Sequence, residues 1–149
     1  GPAAVRLRVS SPDLDDVHLF AGLRKFHGGR EDVFEGSFGF NGAMMTHGWQ
    51  RAAFRELDDA LSTPEQPVHT FRGAQPLAPG EEVDVDVALR QHATRLRAGD
   101  VLRLDVRGTW HYPRNPVFGQ LPSGYQPSRR GRFTVTSGSR LLIGWRPVA

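Results

Sequence analysis

Hydrophobic and polar residues alternate with period two over most of this chain, a pattern that predicts strands with one buried and one wet face. In the first segment Val5, Leu7 and Val9 fall on one side and Arg6, Arg8 and Ser10 on the other. After the turn residues Ser10-Ser11-Pro12-Asp13, the run 17–26 sets Val17, Leu19, Ala21 and Leu23 against His18, Phe20, Gly22 and Arg24. His27-Gly28-Gly29-Arg30 then turns the chain again. The cleanest strand is 82–90, with Val83, Val85, Val87 and Leu89 inward and Glu82, Asp84, Asp86 and Arg90 outward. Ala98-Gly99-Asp100 leads into Leu102, Leu104 and Val106, which alternate with Arg103, Asp105 and Arg107. Asp84 and Asp86 are expected opposite Arg103 and Arg107 across a sheet, where exposed pairs contribute roughly 0.2–1 kcal/mol. Two closing strands, 132–136 and 140–145, are joined by Ser137-Gly138-Ser139 and turn Phe133, Val135, Leu141, Ile143 and Trp145 inward.

Other stretches are less regular. Residues 33–45 space Phe34, Phe38 and Phe40 with Gly36, Gly39 and Gly42, which reads as a bulged strand or a loop laid across a sheet. In 47–57, Trp49, Arg51, Ala53, Arg55 and Leu57 alternate with Gln50, Ala52, Phe54 and Glu56. The propensities of Ala-Ala-Phe-Arg-Glu-Leu also allow a short helix, but Gly48 and Trp49 favour a strand. Residues 58–79, punctuated by Pro64, Pro67, Pro76 and Pro79, predict an irregular connection with a turn near 59–62. Seven or eight short strands and no long helix predict an all-β fold, an antiparallel sandwich or jelly roll.

One stretch, 109–127, can be neither helix nor central strand, since it carries four prolines and two glycines. It also holds Trp110, Tyr112, Phe118 and Tyr125, too much apolar area for an idle linker. A long aromatic loop of this kind is expected to be a binding element or a cover on a rigid scaffold. Trp49, Trp110, Tyr112 and Tyr125 are candidates for stacking on a sugar ring or for anchoring a protein interface, with Arg114 and Asn115 held between Pro113 and Pro116 for hydrogen bonding. The blander reading puts Trp49 and Trp110 in the core.

Composition narrows the classes. With 149 residues and 38% hydrophobic content, the chain is long enough for one domain, 1–149, with a proper core. Gly1-Pro2 reads either as the remnant of a cleaved tag or as native sequence leading into the first strand. Without cysteine there is no disulfide, thiolate metal site or cysteine nucleophile, which suits a reducing, cytoplasmic location. No apolar run approaches a membrane span and the N-terminus lacks the regions of a signal peptide. The pI near 10.1 suggests nucleic acid, but the formal charge is only +3. Eighteen of the nineteen basic residues are arginines, dispersed except for Arg129, Arg130 and Arg132; a slight excess of arginine inflates a pI without building a strong field, so no nucleic-acid partner is expected.

Catalytic signatures are missing. Neither Ser37 nor Ser123 has glycine two residues before and two after, so there is no Gly-x-Ser-x-Gly elbow. His18, His27, His47, His69, His92 and His111 show no metal-ligand spacing and read as surface or hydrogen-bonded structural residues. Asp13, Asp15 and Asp16 lack the spaced ligands of a calcium loop and read as a solvated turn. No cofactor is expected.

Five short motifs occur in one sequential frame: Gly48-Trp49-Gln50-Arg51-Ala52 with Arg55-Glu56-Leu57-Asp58; Pro76-Leu77-Ala78-Pro79-Gly80-Glu81; Ala98-Gly99-Asp100-Val101-Leu102-Arg103-Leu104; Tyr112-Pro113-Arg114-Asn115-Pro116; and Ser139-Arg140-Leu141-Leu142-Ile143. Together they resemble the C-terminal domain of the Xaa-Pro dipeptidyl-peptidase and cocaine-esterase-like hydrolases, the CocE/NonD group, over nearly the whole chain. The resemblance implies a galactose-binding-like jelly-roll β-sandwich that follows an α/β-hydrolase catalytic domain and packs over it. The chain would then be a non-catalytic accessory domain of a serine esterase, acylase or Xaa-Pro dipeptidyl-peptidase, with the catalytic domain as partner in cis or in trans. The alternative is a stand-alone module that binds carbohydrate or protein. Relatives of this kind usually carry another strand before Val5 and a Leu-Pro-Val-Ile-Pro-like tail where this chain has Gly144-Trp145-Arg146-Pro147-Val148-Ala149. A missing leading strand leaves an unpaired edge, so self-association is expected.

Overall fold

Strand β1 (Ala3–Ser10) is the axis of one sheet and β2 (His18–His27) the axis of the other. The computed structural model describes residues 1–34, 44–111 and 130–145. Along one edge β1 pairs with β5 (Val83–Leu89), from Ala3 opposite Leu89 to Val9 opposite Val83; along its other edge lie β7 (Thr134–Val135) and β8 (Arg140–Ile143). In the second sheet β2 pairs with β6 (Asp100–Arg107) on one side, and with β3 (Arg30–Asp32) and β4 (Thr46–Arg51) on the other. Every pairing is antiparallel, so the fold is the expected all-β sandwich of two sheets.

The inner faces are those the alternation predicts. Val5, Leu7 and Val9 of β1, Val17 just before β2, Leu19, Ala21 and Leu23 of β2, and Val83, Val85, Val87 and Leu89 of β5 form one core with Met45, Ala52 and Leu77. Leu102, Leu104, Val106, Phe133 and Ile143 pack against it, partly buried. A Val or Leu side chain moved from water into such a core contributes about 1.5–3 kcal/mol, which is why the period-two pattern dominates the fold.

Several expectations are corrected. Asp84 and Asp86 do not meet Arg103 and Arg107, because β5 and β6 belong to different sheets. Asp86 takes both Nε (2.9 Å) and Nη2 (3.0 Å) of Arg6, and Asp84 takes Nε (2.9 Å) and Nη2 (3.2 Å) of Arg8, each from the residue opposite on β1. The strand expected over 47–57 stops at Arg51, where Ala52–Phe54 forms a 3-10 turn and buries Ala52 and Ala53.

The closing strands do not fold back on each other either. Both lie along the same edge of β1, and between them four residues, 136–139, face two residues of β1. The Thr136 N–H donates to the Arg8 carbonyl (2.9 Å), the Arg8 N–H donates to Ser139 Oγ (3.0 Å), and that hydroxyl donates to the Thr136 carbonyl (2.9 Å). Ser139 thus supplies the ladder partner that the bulge takes away. Val135, Leu141 and Trp145 are exposed rather than buried. The seam between the β6 and β8 edges is open there, a cleft of about 1120 Å³ whose lining includes Met45, Leu96, Leu102, Leu141, Ile143 and Trp145.

At one end of the second sheet lies the chain's single lysine. Lys25 is 7% exposed, with Nζ 2.8 Å from Asp32 Oδ2 and 3.3 Å from Asp100 Oδ2. Asp100 also accepts the Arg97 backbone N–H (2.8 Å) and faces His27 Nδ1 (2.7 Å). The Arg97 hydrogen bond, with His27 and Lys25 behind it, outweighs burial and holds the Asp100 carboxyl at about 2.

Candidate functional site

The two outer faces of the sandwich differ. On the β1 sheet the outward Arg6 and Arg8 are matched by Asp86 and Asp84 opposite them on β5. On the β2 sheet, register brings Trp49, Phe20 and Arg107 side by side in one row, and His47, Gly22 and Asp105 in the next. Alternation in β4 and β2 sends these side chains outward, away from Leu19, Ala21 and Leu23.

Residues far apart in sequence lie over that face. Phe20, expected to be wet, is almost fully buried beneath the Trp110 ring, edge to face at 5.9 Å. Trp110 also meets His47 (5.2 Å) and Trp49 (5.6 Å) at steep interplanar angles of 84° and 79°. Such T-shaped pairs add about 0.5–1.5 kcal/mol each beyond the area they bury. Gly22 makes room for the cover: a Cβ there would stand 2.2 Å from Met44 Sδ and 3.2 Å from the His111 ring.

His111 is the unusual member. It is 8% exposed, and neither ring nitrogen has a hydrogen-bond partner among the described residues. Burial, with Arg107 adding to it and Asp105 opposing, pushes its pKa down to about 4; burial and Arg90 push His47 down to about 4 as well. Both imidazoles are therefore neutral near pH 7. His111 is therefore not the surface residue that the sequence allowed, and no described residue supplies the hydrogen bond of the other reading. The available signal was that His47 precedes Trp49 by two residues on one strand, while His111 follows Trp110 directly.

Charge rims the cluster. Asp105 accepts Arg24 Nε (2.8 Å) and stands 3.2 Å from Arg103 and 3.9 Å from Arg107, while Arg24 also holds Glu31 at 2.5 Å. Burial raises the Asp105 pKa, but the hydrogen bond from Arg24 and the charges of Arg103, Arg24 and Arg107 outweigh it and leave the carboxyl below its usual value. The Arg103 guanidinium lies over the Phe26 ring at 4.7 Å.

Of the six candidates read from sequence, the structure places two. Trp49 is 38% exposed on the outer face, not in the core, and Trp110 is half-buried against it. Tyr112, Arg114, Asn115 and Tyr125 lie outside the described residues, as do Phe38, Phe40, Ser37 and Ser123. The Asp13 carboxylate accepts the Arg132 backbone N–H (3.0 Å), and Asp16 takes the Ala53 backbone N–H (2.9 Å) and Arg51 Nε (2.7 Å). These carboxylates face different protein donors, and among the described residues no group of three or more His, Cys, Asp or Glu side chains is arranged to hold a metal ion. No helix among them is long and apolar enough to cross a membrane.

The comparisons agree with this picture. The family model of the X-Pro dipeptidyl-peptidase C-terminal non-catalytic domain matches residues 1–128. A crystal structure of a CocE/NonD family hydrolase from Staphylococcus aureus is 27% identical, superposes with a TM-score of 0.78, and is matched over 96% of this chain and 27% of its own. A second crystal structure described as a CocE/NonD family hydrolase from Staphylococcus aureus, at 1.95 Å, gives 27% identity and a TM-score of 0.74 over 97% of this chain and 24% of its own. The chain thus spans about a quarter of the length of each. No curated protein matches it.

Proposed function

Because this chain belongs to the family of X-Pro dipeptidyl-peptidase C-terminal non-catalytic domains, we propose that it serves, as one domain over 1–149, as the accessory domain of a CocE/NonD-type α/β-hydrolase. Its role is to pack on the catalytic domain through the outer face of the β2 sheet and help shape that domain's pocket. One observation carries this reading: among the described residues, of the two outer faces only that of the β2 sheet pairs a partly exposed tryptophan with a second tryptophan and an arginine rim. Half-buried aromatics ringed by arginine are the usual anchors of protein interfaces. The parent hydrolase would be a serine esterase, an acylase or an Xaa-Pro dipeptidyl-peptidase, with all chemistry in the catalytic domain.

A glycan platform fits less well. Stacking on a pyranose needs a flat aromatic face, and here Trp49 and Trp110 stand at 79° to each other, so the edge of one ring is spent on the face of its neighbour. A nucleic-acid partner is equally disfavoured, because Arg6, Arg8, Arg24, Arg51, Arg103 and Arg107 all lie in ion pairs with carboxylates of this chain.

The test is titration of the purified chain with the α/β-hydrolase catalytic domain of its own hydrolase, followed by tryptophan emission and calorimetry. Emission should shift to the blue as Trp49 is covered, and Trp49→Ala should weaken the complex by about tenfold or more, as for an anchor worth ~1.4 kcal/mol or above. The chain alone should turn over neither p-nitrophenyl esters nor Xaa-Pro anilides. Failure of the wild-type chain to bind, or activity abolished by a point mutation within it, would overturn the reading.

A further inference from the structure

The aromatic face does not end at Trp49. Two positions along β4, Arg51 lays its guanidinium over the Phe54 ring at 4.8 Å; Phe54 meets Phe71 at 6.2 Å, and Phe71 meets His69 at 5.8 Å. The strip therefore turns from the outer face of the β2 sheet onto the flank where residues 52–80 cross toward β5. At its far end Phe71 is 64% exposed.

Phe71 is also held in a backbone conformation that phenylalanine avoids. Its φ is +52°, and among the described residues no other non-glycine has a positive φ. Left-handed backbone crowds Cβ against the carbonyl, so glycine or asparagine is the usual occupant and a bulky residue there is an outlier. The neighbours leave the chain little choice. His69 pairs with Leu57 in an isolated bridge, and its Nε2–H donates to the Asp86 carbonyl (2.8 Å). The Thr70 N–H donates to the Glu56 carbonyl (3.1 Å), and its hydroxyl also bonds the Glu56 carboxylate. Beyond the bend, the Gln75 N–H donates to the Ala53 carbonyl (2.7 Å), and Arg55 Nη1 donates to the Gln75 carbonyl (2.7 Å). A segment fixed on both sides presents a large ring mostly to water, at a position that suits glycine or asparagine better. Folding alone gains little from that arrangement, and strain of this kind gathers at binding sites.

We propose that Phe71 is a second docking anchor, a ring that enters an apolar pocket on the surface of the hydrolase catalytic domain. This rests on the reading given under Proposed function, and it extends the contact from Trp49 across Arg51 and Phe54 to the flank. The occupant follows from continuity of the strip with that face and from the length of the relatives, of which this chain matches only 27% and 24%, leaving most of each hydrolase to supply a cover.

Phe71→Asn tests it, since asparagine accepts a left-handed backbone. The melting temperature of the variant should equal or exceed that of the wild type, while its affinity for the catalytic domain falls at least tenfold. Trp49→Ala is measured beside it. If the wild type binds and Trp49→Ala weakens binding but Phe71→Asn does not, the Phe71 assignment is wrong and the docking face stands. A clear fall in melting temperature for Phe71→Asn would make the ring a structural element and overturn the assignment equally. If the wild type fails to bind, both readings fall together.

Discussion

Gly48→Ala should destabilise this domain more than alanine at any other described glycine in its strands. Gly48 lies in β4, where that strand of one sheet runs beside the end of β5 in the other. A Cβ there would stand 1.9 Å from the Ala88 carbonyl oxygen and 2.9 Å from its carbon. These atoms are backbone, so no rotamer change relieves the overlap. To admit the methyl, the strands must part, which strains the hydrogen bond from the Arg90 N–H to the His47 carbonyl (3.0 Å) and the one from Thr46 Oγ1 to the Arg90 carbonyl (2.6 Å). Overpacking against a rigid backbone with loss of these bonds should cost about 3–5 kcal/mol. For a domain of this size that corresponds to a melting temperature lower by ~10 °C or more. Gly73→Ala, whose Cβ would meet nothing within 4 Å, is the control and should change stability by less than about 0.5 kcal/mol. Equal melting temperatures for the two variants would show that the sheets do not close through Gly48.

Acid should weaken the fold well before the carboxylates titrate. In the folded state His47 and His111 have pKa values pushed from 6.5 down to about 4, chiefly by burial. A histidine kept neutral by the fold contributes its full share above the unfolded value of 6.5. As pH falls the unfolded chain takes up protons that the folded chain cannot, so stability declines between pH 6.5 and 4 and levels off below. After allowance for residual solvent at these rings, each contributes roughly 1–2 kcal/mol across that window. His111→Phe separates the two contributions. It removes two ring nitrogens that have no partner among the described residues, so stability at pH 7 should hold or rise by about 1 kcal/mol, and the decline toward pH 4 should shrink by about half. Urea midpoints measured from pH 8 to pH 4 would decide it, and an unchanged slope in the variant would rule His111 out as a contributor.

Much of the fold was legible because β1, β2 and β5 bury whole sets of alternating positions, and burial of that size leaves a period in the sequence. Pairing left no such mark. Asp84 and Asp86 are two residues apart, as are Arg6 and Arg8, whereas Arg103 and Arg107 are four apart; β5 lies beside β1 and in a different sheet from β6, and the first pair is the one met. The bulge at 136–139 was hidden for a related reason: Ser137-Gly138-Ser139 suits a turn, and in the fold the Ser139 hydroxyl instead takes over a ladder position of the edge strand. At the candidate site, Trp49 and Trp110 were found by their residue type. The histidines packed with them were not, since the nearness of His47 and His111 to these tryptophans in sequence gives no measure of how deeply an imidazole will be buried. Phe71 was silent as well, because a positive φ on phenylalanine is imposed by the hydrogen bonds around it and not by its own preference.

The position of Lys25 makes this chain its own reporter of unfolding. An amine-acylating reagent has two targets in the chain, the N-terminus and the Lys25 side chain, since no other lysine exists. In the folded state the second is shielded between Asp32 and Asp100. Its acylation must then wait for β2 to separate from β3 or β6, so the rate at which a second label appears in a mass spectrum measures how often that end of the sandwich opens.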